Sequence, residues 1–200
     1  QNGGNAIDAA IATQLALAVV YPGAGNIGGG GFLVASLTNG KTLAIDYREK
    51  APAAAHRDMY LDSAGNARTQ LSQSGHLASG VPGTIAGLFT SHKYAKLSFT
   101  ELIQPAIDLA EKGFSITAAE ASSLNSTQSA FQQNSTQPSS LVREKAWKAG
   151  DTLVQKDLAN TLKRVRDFGM KGFYEGETAR LIVEEMKRGK GLITYEDLKN

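Results

Sequence analysis

Cysteine is absent from the 200 residues of this sequence, and histidine occurs only three times. The lack of cysteine excludes disulfide bonds, thiolate metal sites and a cysteine nucleophile within this stretch. The histidines, His56, His76 and His92, lie far apart in the sequence and form no HExxH or similar ligand spacing. We therefore predict no metal site.

Long apolar runs and an excess of either charge are also missing. The longest apolar candidate, residues 6–20, contains an aspartate and a glutamine and is shorter than the roughly 20 residues that a membrane-spanning helix needs. The 21 Lys and Arg residues nearly balance 19 Asp and Glu residues, leaving a net charge of +2. We expect neither a membrane segment nor a nucleic-acid partner, and we interpret Lys163, Arg164 and Arg166 as a solvated helix face.

The composition that is present fits one globular unit. Apolar residues make up 42% of the sequence and charged residues 20%, which suffices for a hydrophobic core. The sequence begins at Gln1 rather than at a methionine, and Thr194 with Asp197 resembles the start of a capped helix close to the last residue. We treat residues 1–200 as a single partial domain and expect it to be a fragment of a longer protein.

A β-hairpin followed by charged residues is the central local prediction. Residues 32–37 form a short apolar run, Asn39-Gly40 is a typical two-residue hairpin turn, and residues 42–47 form the return strand. The charged run 48–50 then follows directly. Charged side chains at the end of a strand, where a loop begins, are often binding groups on a rigid scaffold.

Helical patterns surround the hairpin. Asn5 is a plausible N-cap, with Asp8 three residues later, for an alanine-rich helix that ends at Pro22-Gly23. Further helices are predicted over residues 53–61, 84–94, 98–112, 155–168 and 176–188, with a weaker helix over 117–133, an extended piece over 75–80 and a polar loop over 134–140.

The glycines at positions 28–31 do not match a phosphate-binding loop. Such loops run from a strand into a helix, whereas here a helix precedes the glycines and a strand follows them. We predict instead that the loop allows close backbone packing. Gly87, inside a predicted helix, is likewise expected to pack against the backbone of a neighbouring segment.

No catalytic group emerges from the residues themselves. Ser79 precedes a glycine, but Leu77 occupies a position where the nucleophile elbow requires glycine. Asp46 and Glu49 would lie on opposite faces of a regular strand, which argues against paired acid and base chemistry. We therefore predict no catalytic residue in this stretch.

Arg48 is the candidate binding residue. Its guanidinium offers a planar fork of donors that matches the two oxygens of a carboxylate, and the preceding strand would hold that fork in place. The alternative is a structural salt bridge to Asp46 or Glu49, and composition alone favours this alternative.

The order of motifs resembles a known family. The stretch GGNAIDAAIATQLALAVVYPGAGNIGGGGFLV, followed by IDYREKAP, resembles the start of the large subunit of γ-glutamyltranspeptidase. The resemblance continues through residues 76–84, 104–106, 150–155 and 191–194, so that it covers essentially the whole chain.

This resemblance implies an N-terminal-nucleophile hydrolase, an α/β protein with an αββα sandwich of which this chain is a helix-rich part. Its precursor cuts itself into two subunits, and a threonine of the small subunit attacks the γ-glutamyl amide of glutathione without a cofactor. The glutamyl group then passes to water, an amino acid or a peptide. Arg48, in the motif Asp46-Tyr47-Arg48-Glu49, would bind the α-carboxylate of the γ-glutamyl group.

The resemblance also indicates what this chain lacks. It contains no Thr-Thr dipeptide of the kind that opens the small subunit, so we expect the front half of a large subunit, without the strand before Gly3-Gly4 and inactive alone. Its partners would be the rest of that subunit and the small subunit. A glutaryl or cephalosporin acylase and a non-catalytic carboxylate-binding module are the alternatives. We expect a periplasmic or secreted protein, with a bacterial source favoured.

Overall fold

Residues 3–200 are described by a computed structural model, which consists mainly of helices, with a β-hairpin and a second, very short pair of strands. The helices are α1 (Ala6–Val20), α2 (Thr69–Gln73), α3 (Thr84–His92), α4 (Phe99–Lys112), α5 (Ala118–Asn134), α6 (Lys156–Phe168), α7 (Lys171–Tyr174), α8 (Gly176–Gly189) and α9 (Tyr195–Lys199), with a 3-10 turn at His76–Ala78. The strands are β1 (Phe32–Ser36), β2 (Thr42–Asp46), β3 (Phe114–Ser115) and β4 (Thr152–Leu153).

Side-chain caps fix where several helices begin. The Asn5 side chain accepts hydrogen bonds from the amides of Ile7 and Asp8, at 2.8 and 3.2 Å, and the Asp8 carboxylate accepts one from the Asn5 amide at 2.6 Å. This reciprocal arrangement satisfies amides that the first helical turn leaves without partners. The same reciprocal arrangement, known as a capping box, starts three more helices through the pairs Ser98 and Glu101, Thr117 and Glu120, and Thr194 and Asp197.

The main core is formed by α1, α4 and α6, with α4 packed between the other two. Its fully buried side chains include Ile11 and Leu15 of α1, Ile103 and Ile107 of α4, and Leu162 and Val165 of α6. Each such side chain stabilises the fold by about 1.5 to 3 kcal/mol through removal of apolar surface from water. The helices predicted before Pro22 and over residues 98–112 and 155–168 are therefore confirmed.

Asp8 is a buried charge that joins α1 to the loop before α4. Its carboxylate accepts hydrogen bonds from the amides of Lys96 and Leu97 as well as Asn5. Burial raises the pKa of Asp8, but these backbone donors outweigh burial and hold the pKa below its usual value. Hydrogen bonds to charged groups thus compensate for burial at the start of α1.

The predicted hairpin is confirmed. Strands β1 and β2 pair antiparallel from Phe32 opposite Asp46 to Ser36 opposite Thr42. The turn differs from the predicted two-residue Asn39-Gly40 turn, which would need a positive φ at Asn39 as well as at Gly40. The Leu37 amide donates to the carbonyl of Lys41 at 2.8 Å and the Gly40 amide donates to the carbonyl of Leu37 at 2.9 Å, so residues 38–40 form a three-residue loop. In this loop Gly40 alone is left-handed, with a φ of +80° that glycine accepts readily. The opposite faces of β1 differ, because Leu33 and Ala35 pack against the core while Phe32 and Val34 are exposed.

A smaller core lies between α5 and the segment that leads to β4. Ile116, Ala121, Leu124, Trp147 and Leu153 form it. The Asn125 amide side chain joins α5 to Trp147 twice, donating to its carbonyl at 3.0 Å and accepting from its amide at 2.8 Å. The Arg143 guanidinium lies 3.8 Å from the centre of the indole ring. These contacts hold a segment with little regular structure against α5.

Two predicted elements are wrong, and both involve long-range hydrogen bonds. Residues 53–61, predicted as a helix, form successive turns, because the Ala53 amide donates to Asp197 at 2.7 Å and the Tyr60 hydroxyl donates to the carbonyl of Leu77 at 3.2 Å. The extended piece predicted over residues 75–80 contains the 3-10 turn instead.

The basic cluster on α6 also differs from its prediction as a solvated face. Lys163 pairs with Glu111 of α4, Arg164 donates to the Thr178 hydroxyl of α8 at 2.8 Å, and Arg166 donates to Gln104. These side chains therefore connect α6 to its neighbours. No helix among residues 3–200 is both long and apolar enough to cross a membrane.

Candidate binding site

Arg48 lies between two short stretches of backbone pairing. Tyr47 extends the hairpin by one further pair, exchanging hydrogen bonds with Gly31 at 3.0 and 3.3 Å. On the other side of Arg48, Lys50 exchanges hydrogen bonds with Val81 at 3.2 and 2.8 Å. The backbone of Arg48 is thus fixed on both sides, although Arg48 itself lies outside any strand or helix.

The Arg48 side chain is open to a ligand. It is 65% exposed, and its Cζ lies 6.0 Å from the centre of the Phe32 ring. The structural salt bridge that was the alternative is long. Arg48 Nε lies 3.6 Å from Glu49 Oε2, well beyond the roughly 2.7 to 2.9 Å of a charge-assisted hydrogen bond. Asp46 does not pair with the guanidinium but accepts a hydrogen bond from the Arg48 amide at 3.0 Å.

Tyr47 anchors this segment to the helical layer. Its hydroxyl donates to Gln14 of α1 at 3.2 Å, and its ring lies directly over Gly87 of α3. A Cβ placed on Gly87 would approach Tyr47 Cγ to 2.1 Å. The prediction that Gly87 packs against a neighbour is thus right in kind but wrong in detail, because the neighbour is an aromatic side chain rather than backbone.

A cleft of about 410 Å³ adjoins this segment. It lies between the end of β2, helix α3 and the short helices α7 and α9, and its volume falls in the range of small-molecule sites. The charged residues that line it are Asp46, Arg48, Lys50, Lys171, Glu175, Asp197 and Lys199. Both signs of charge are present, which suits a ligand that carries a carboxylate and an amine.

Tyr174 supports the wall of the cleft and was not identified from the sequence. Its hydroxyl donates to the carbonyl of Pro82 at 2.9 Å and accepts from the amide of Ala86 at 3.1 Å. Burial raises the pKa of this phenol, which keeps the donating proton in place. No local sequence signal could identify this contact, because about 90 residues separate the partners.

Ser79, His76 and His92, which were also considered in the sequence, do not lie with Arg48. Ser79 lines a separate, largely apolar cleft. The ring of His76 is bonded to Glu185 at 2.7 Å, and that of His92 lies 2.8 Å from the carbonyl of Leu97. Within residues 3–200 there is no group of three or more His, Cys, Asp or Glu side chains that could hold a metal ion.

Comparison with known proteins places the chain among related sequences and structures. A family model described as gamma-glutamyltranspeptidase matches residues 1–200. A glutathione hydrolase proenzyme from Pseudomonas sp. (strain A14) is 46% identical over 201 residues, covering 99% of this chain and 35% of the relative. The chain therefore spans about a third of the length of the curated relatives that it matches.

Solved structures agree with this match. The crystal structure of Helicobacter pylori gamma-glutamyltranspeptidase is 47% identical with a TM-score of 0.93, covering 99% of this chain and 58% of that chain. A cephalosporin acylase from Bacillus halodurans is more distant, with 26% identity and a TM-score of 0.82, covering 98% of this chain and 38% of the acylase chain.

Proposed function

This chain belongs to the gamma-glutamyltranspeptidase family, and from that premise we propose that the complete protein transfers γ-glutamyl groups. Glutathione and related γ-glutamyl amides are the donors, and water, amino acids or peptides are the acceptors. A threonine outside these 200 residues supplies the nucleophile and forms the acyl-enzyme. The chain itself contributes a helix-rich α/β part of the fold, which its likeness to the Helicobacter pylori structure confirms.

Arg48 binds the α-carboxylate of the γ-glutamyl group in this proposal. The observation that carries it is an exposed guanidinium whose ion pair with Glu49 is long, at 3.6 Å, on a backbone fixed by the hairpin and beside a cleft of suitable volume. Holding the carboxylate through two parallel hydrogen bonds would place the γ-carbonyl in one orientation for attack.

Replacement of Arg48 by lysine in the complete protein tests this role. Hydrogen bonds to charged groups contribute about 1.5 to 3 kcal/mol, so loss of the fork should raise KM for a γ-glutamyl anilide by roughly 10- to 150-fold. Arg57→Lys is the matched control, because Arg57 is 91% exposed and pairs with Asp58 away from the cleft. An unchanged KM for Arg48→Lys would rule out the assignment.

The two alternative functions can be distinguished by which substrate the complete protein cleaves and by whether its precursor cuts itself. A glutaryl or cephalosporin acylase is supported by the more distant structural match, and it would cleave a glutaryl amide in preference to a γ-glutamyl anilide. A non-catalytic binding module would neither cut itself into two chains nor turn over either compound. Both readouts can be taken from one preparation of the complete protein.

The proposal extends to assembly and location. Residues 1–200 form the front half of a large subunit, which packs against the rest of that subunit and a small subunit cut from the same precursor. Membership of the family and the bacterial origin of the Pseudomonas and Helicobacter pylori relatives support a periplasmic or secreted location in a bacterium. Fractionation of the source cells, with assay of each fraction for γ-glutamyl anilide turnover, tests it.

A further inference from the structure

We propose that Gly30 and Gly83 are positioning residues that fix the backbone of Arg48, so that the guanidinium meets its carboxylate in one orientation. This inference rests on the proposed binding role of Arg48. The two glycines lie on different segments, one before the hairpin and one at the start of α3, and they contact the Arg48 segment from two directions.

Gly30 touches the backbone of Arg48 itself. A Cβ placed on Gly30 would lie 2.7 Å from Arg48 Cα, 2.6 Å from the Tyr47 carbonyl oxygen and 2.8 Å from the Glu49 amide nitrogen. These atoms belong to the main chain and cannot rotate away as the end of a side chain can. Any side chain at position 30 must therefore displace the backbone that carries the arginine.

Gly83 contacts the same segment. A Cβ on Gly83 would lie 2.1 Å from the Tyr47 carbonyl oxygen and 3.0 Å from the Arg48 carbonyl oxygen. The two glycine segments are also joined, because the carbonyl of Gly29 accepts hydrogen bonds from the amides of Gly83 and Thr84 at 2.8 and 2.9 Å. Residues 29–31 and 83–84 thus form a backbone socket around residues 47–49.

The socket explains how an exposed arginine can bind precisely. A long side chain that starts from a mobile backbone would lose much of its binding energy in becoming ordered. A binding group needs its geometry held within about 0.5 Å, and a misplacement of about 1 Å can cost roughly 100-fold in rate. Contact between main chains, possible only with glycine, keeps Arg48 Cα within that tolerance.

Gly30→Ala in the complete protein, assayed with a γ-glutamyl anilide, tests the socket. We expect KM to rise roughly 10- to 100-fold with a smaller change in kcat, because the carboxylate contact moves while the nucleophile lies elsewhere. Gly28→Ala is the matched control. It changes a glycine of the same loop whose Cβ would meet no atom within 4 Å, and it should keep the original KM.

A double variant separates positioning from a general structural effect. If Gly30 acts through Arg48, Gly30→Ala should change KM by less than about threefold when Arg48 is already lysine, because the interaction that it positions has been lost. Equal effects of Gly30→Ala in both backgrounds would overturn the inference. An unchanged KM for Arg48→Lys alone would instead overturn the proposed function, so the two failures are distinguishable.

A milder variant covers the case in which Gly30→Ala does not fold. A Cβ on Gly80 would lie 2.9 Å from Glu49 Cβ and 3.2 Å from the Lys50 carbonyl oxygen, just beyond Arg48. We expect Gly80→Ala to raise KM by several-fold with self-cleavage intact, and again only while Arg48 is present. A KM equal to that of Gly28→Ala would show that displacing the backbone next to Arg48 does not affect binding, and it would overturn the inference.

Discussion

Glu185 joins three segments of the chain, and its replacement by glutamine should destabilise the protein in a manner that depends on pH. Its carboxylate accepts hydrogen bonds from the His76 ring at 2.7 Å, the Thr136 hydroxyl at 2.6 Å and the Arg188 guanidinium at 2.7 Å. Burial raises the pKa of Glu185, but these donors outweigh burial and lower the pKa from 4.5 to about 2.

The size and sign of the effect follow from that pKa. Each unit of pKa shift corresponds to about 1.4 kcal/mol, so a decrease of this size contributes at most about 3 to 4 kcal/mol of folding free energy, and less because the group is partly exposed. A carboxyl whose pKa is lowered on folding stabilises the protein fully above its unfolded pKa. The contribution is therefore complete above pH 4.5 and is lost as the pH falls towards 2.

Urea unfolding of the complete protein at pH 7 and at pH 3 measures the difference. Glu185→Gln should lower the unfolding free energy by about 1 to 3 kcal/mol at pH 7 and by less at pH 3. Glu184→Gln is the matched control, since Glu184 forms a surface pair with Arg180 that is worth at most about 1 kcal/mol. The reasoning would be refuted if Glu185→Gln had the unfolding free energy of the parent protein at pH 7, or if it lost the same free energy at both pH values.

Two further substitutions test buried polar groups. Thr84 is 1% exposed and its hydroxyl has no hydrogen-bond partner among residues 3–200, so Thr84→Val should leave the thermal unfolding temperature unchanged or raise it. A fall of several degrees would mean that the hydroxyl is in fact bonded. Tyr174→Phe removes the hydroxyl that joins Pro82 to Ala86, and it should cost about 1 to 3 kcal/mol in urea unfolding. Stability equal to the parent protein would show that water replaces the phenol.

Helix starts and the hairpin could be predicted from the sequence because the residues that interact in them are close together in the chain. The reciprocal cap between Ser98 and Glu101 opens α4 as predicted, and the glycine at position 40 marks the hairpin loop, although that loop has three residues rather than the predicted two. Both depend on hydrogen bonds or dihedral preferences within four residues. Arg48 was identified for the same reason, since its strand end and its motif are contiguous, and its binding role remains a prediction.

The features that could not be predicted depend on residues that are far apart in the sequence and come into contact only after folding. The turns at residues 53–61 follow from contacts with Asp197 and Leu77, which no helical pattern can reveal. The close approach of the glycine loop was expected, but its target, the main chain of Arg48, could not be read from spacing. Tertiary contacts of this kind commonly override a short segment with weak local preference.

The paired hydrogen bonds between Asn125 and Trp147 have a consequence for producing the protein. Asn125 is followed by Ser126 and Thr127, a triplet to which the eukaryotic secretory pathway can attach an N-linked glycan. The sugar would bond to Asn125 Nδ2, the atom that donates to the Trp147 carbonyl. Attachment during synthesis would therefore compete with closure of the smaller core, which makes a bacterial host the safer choice for expression.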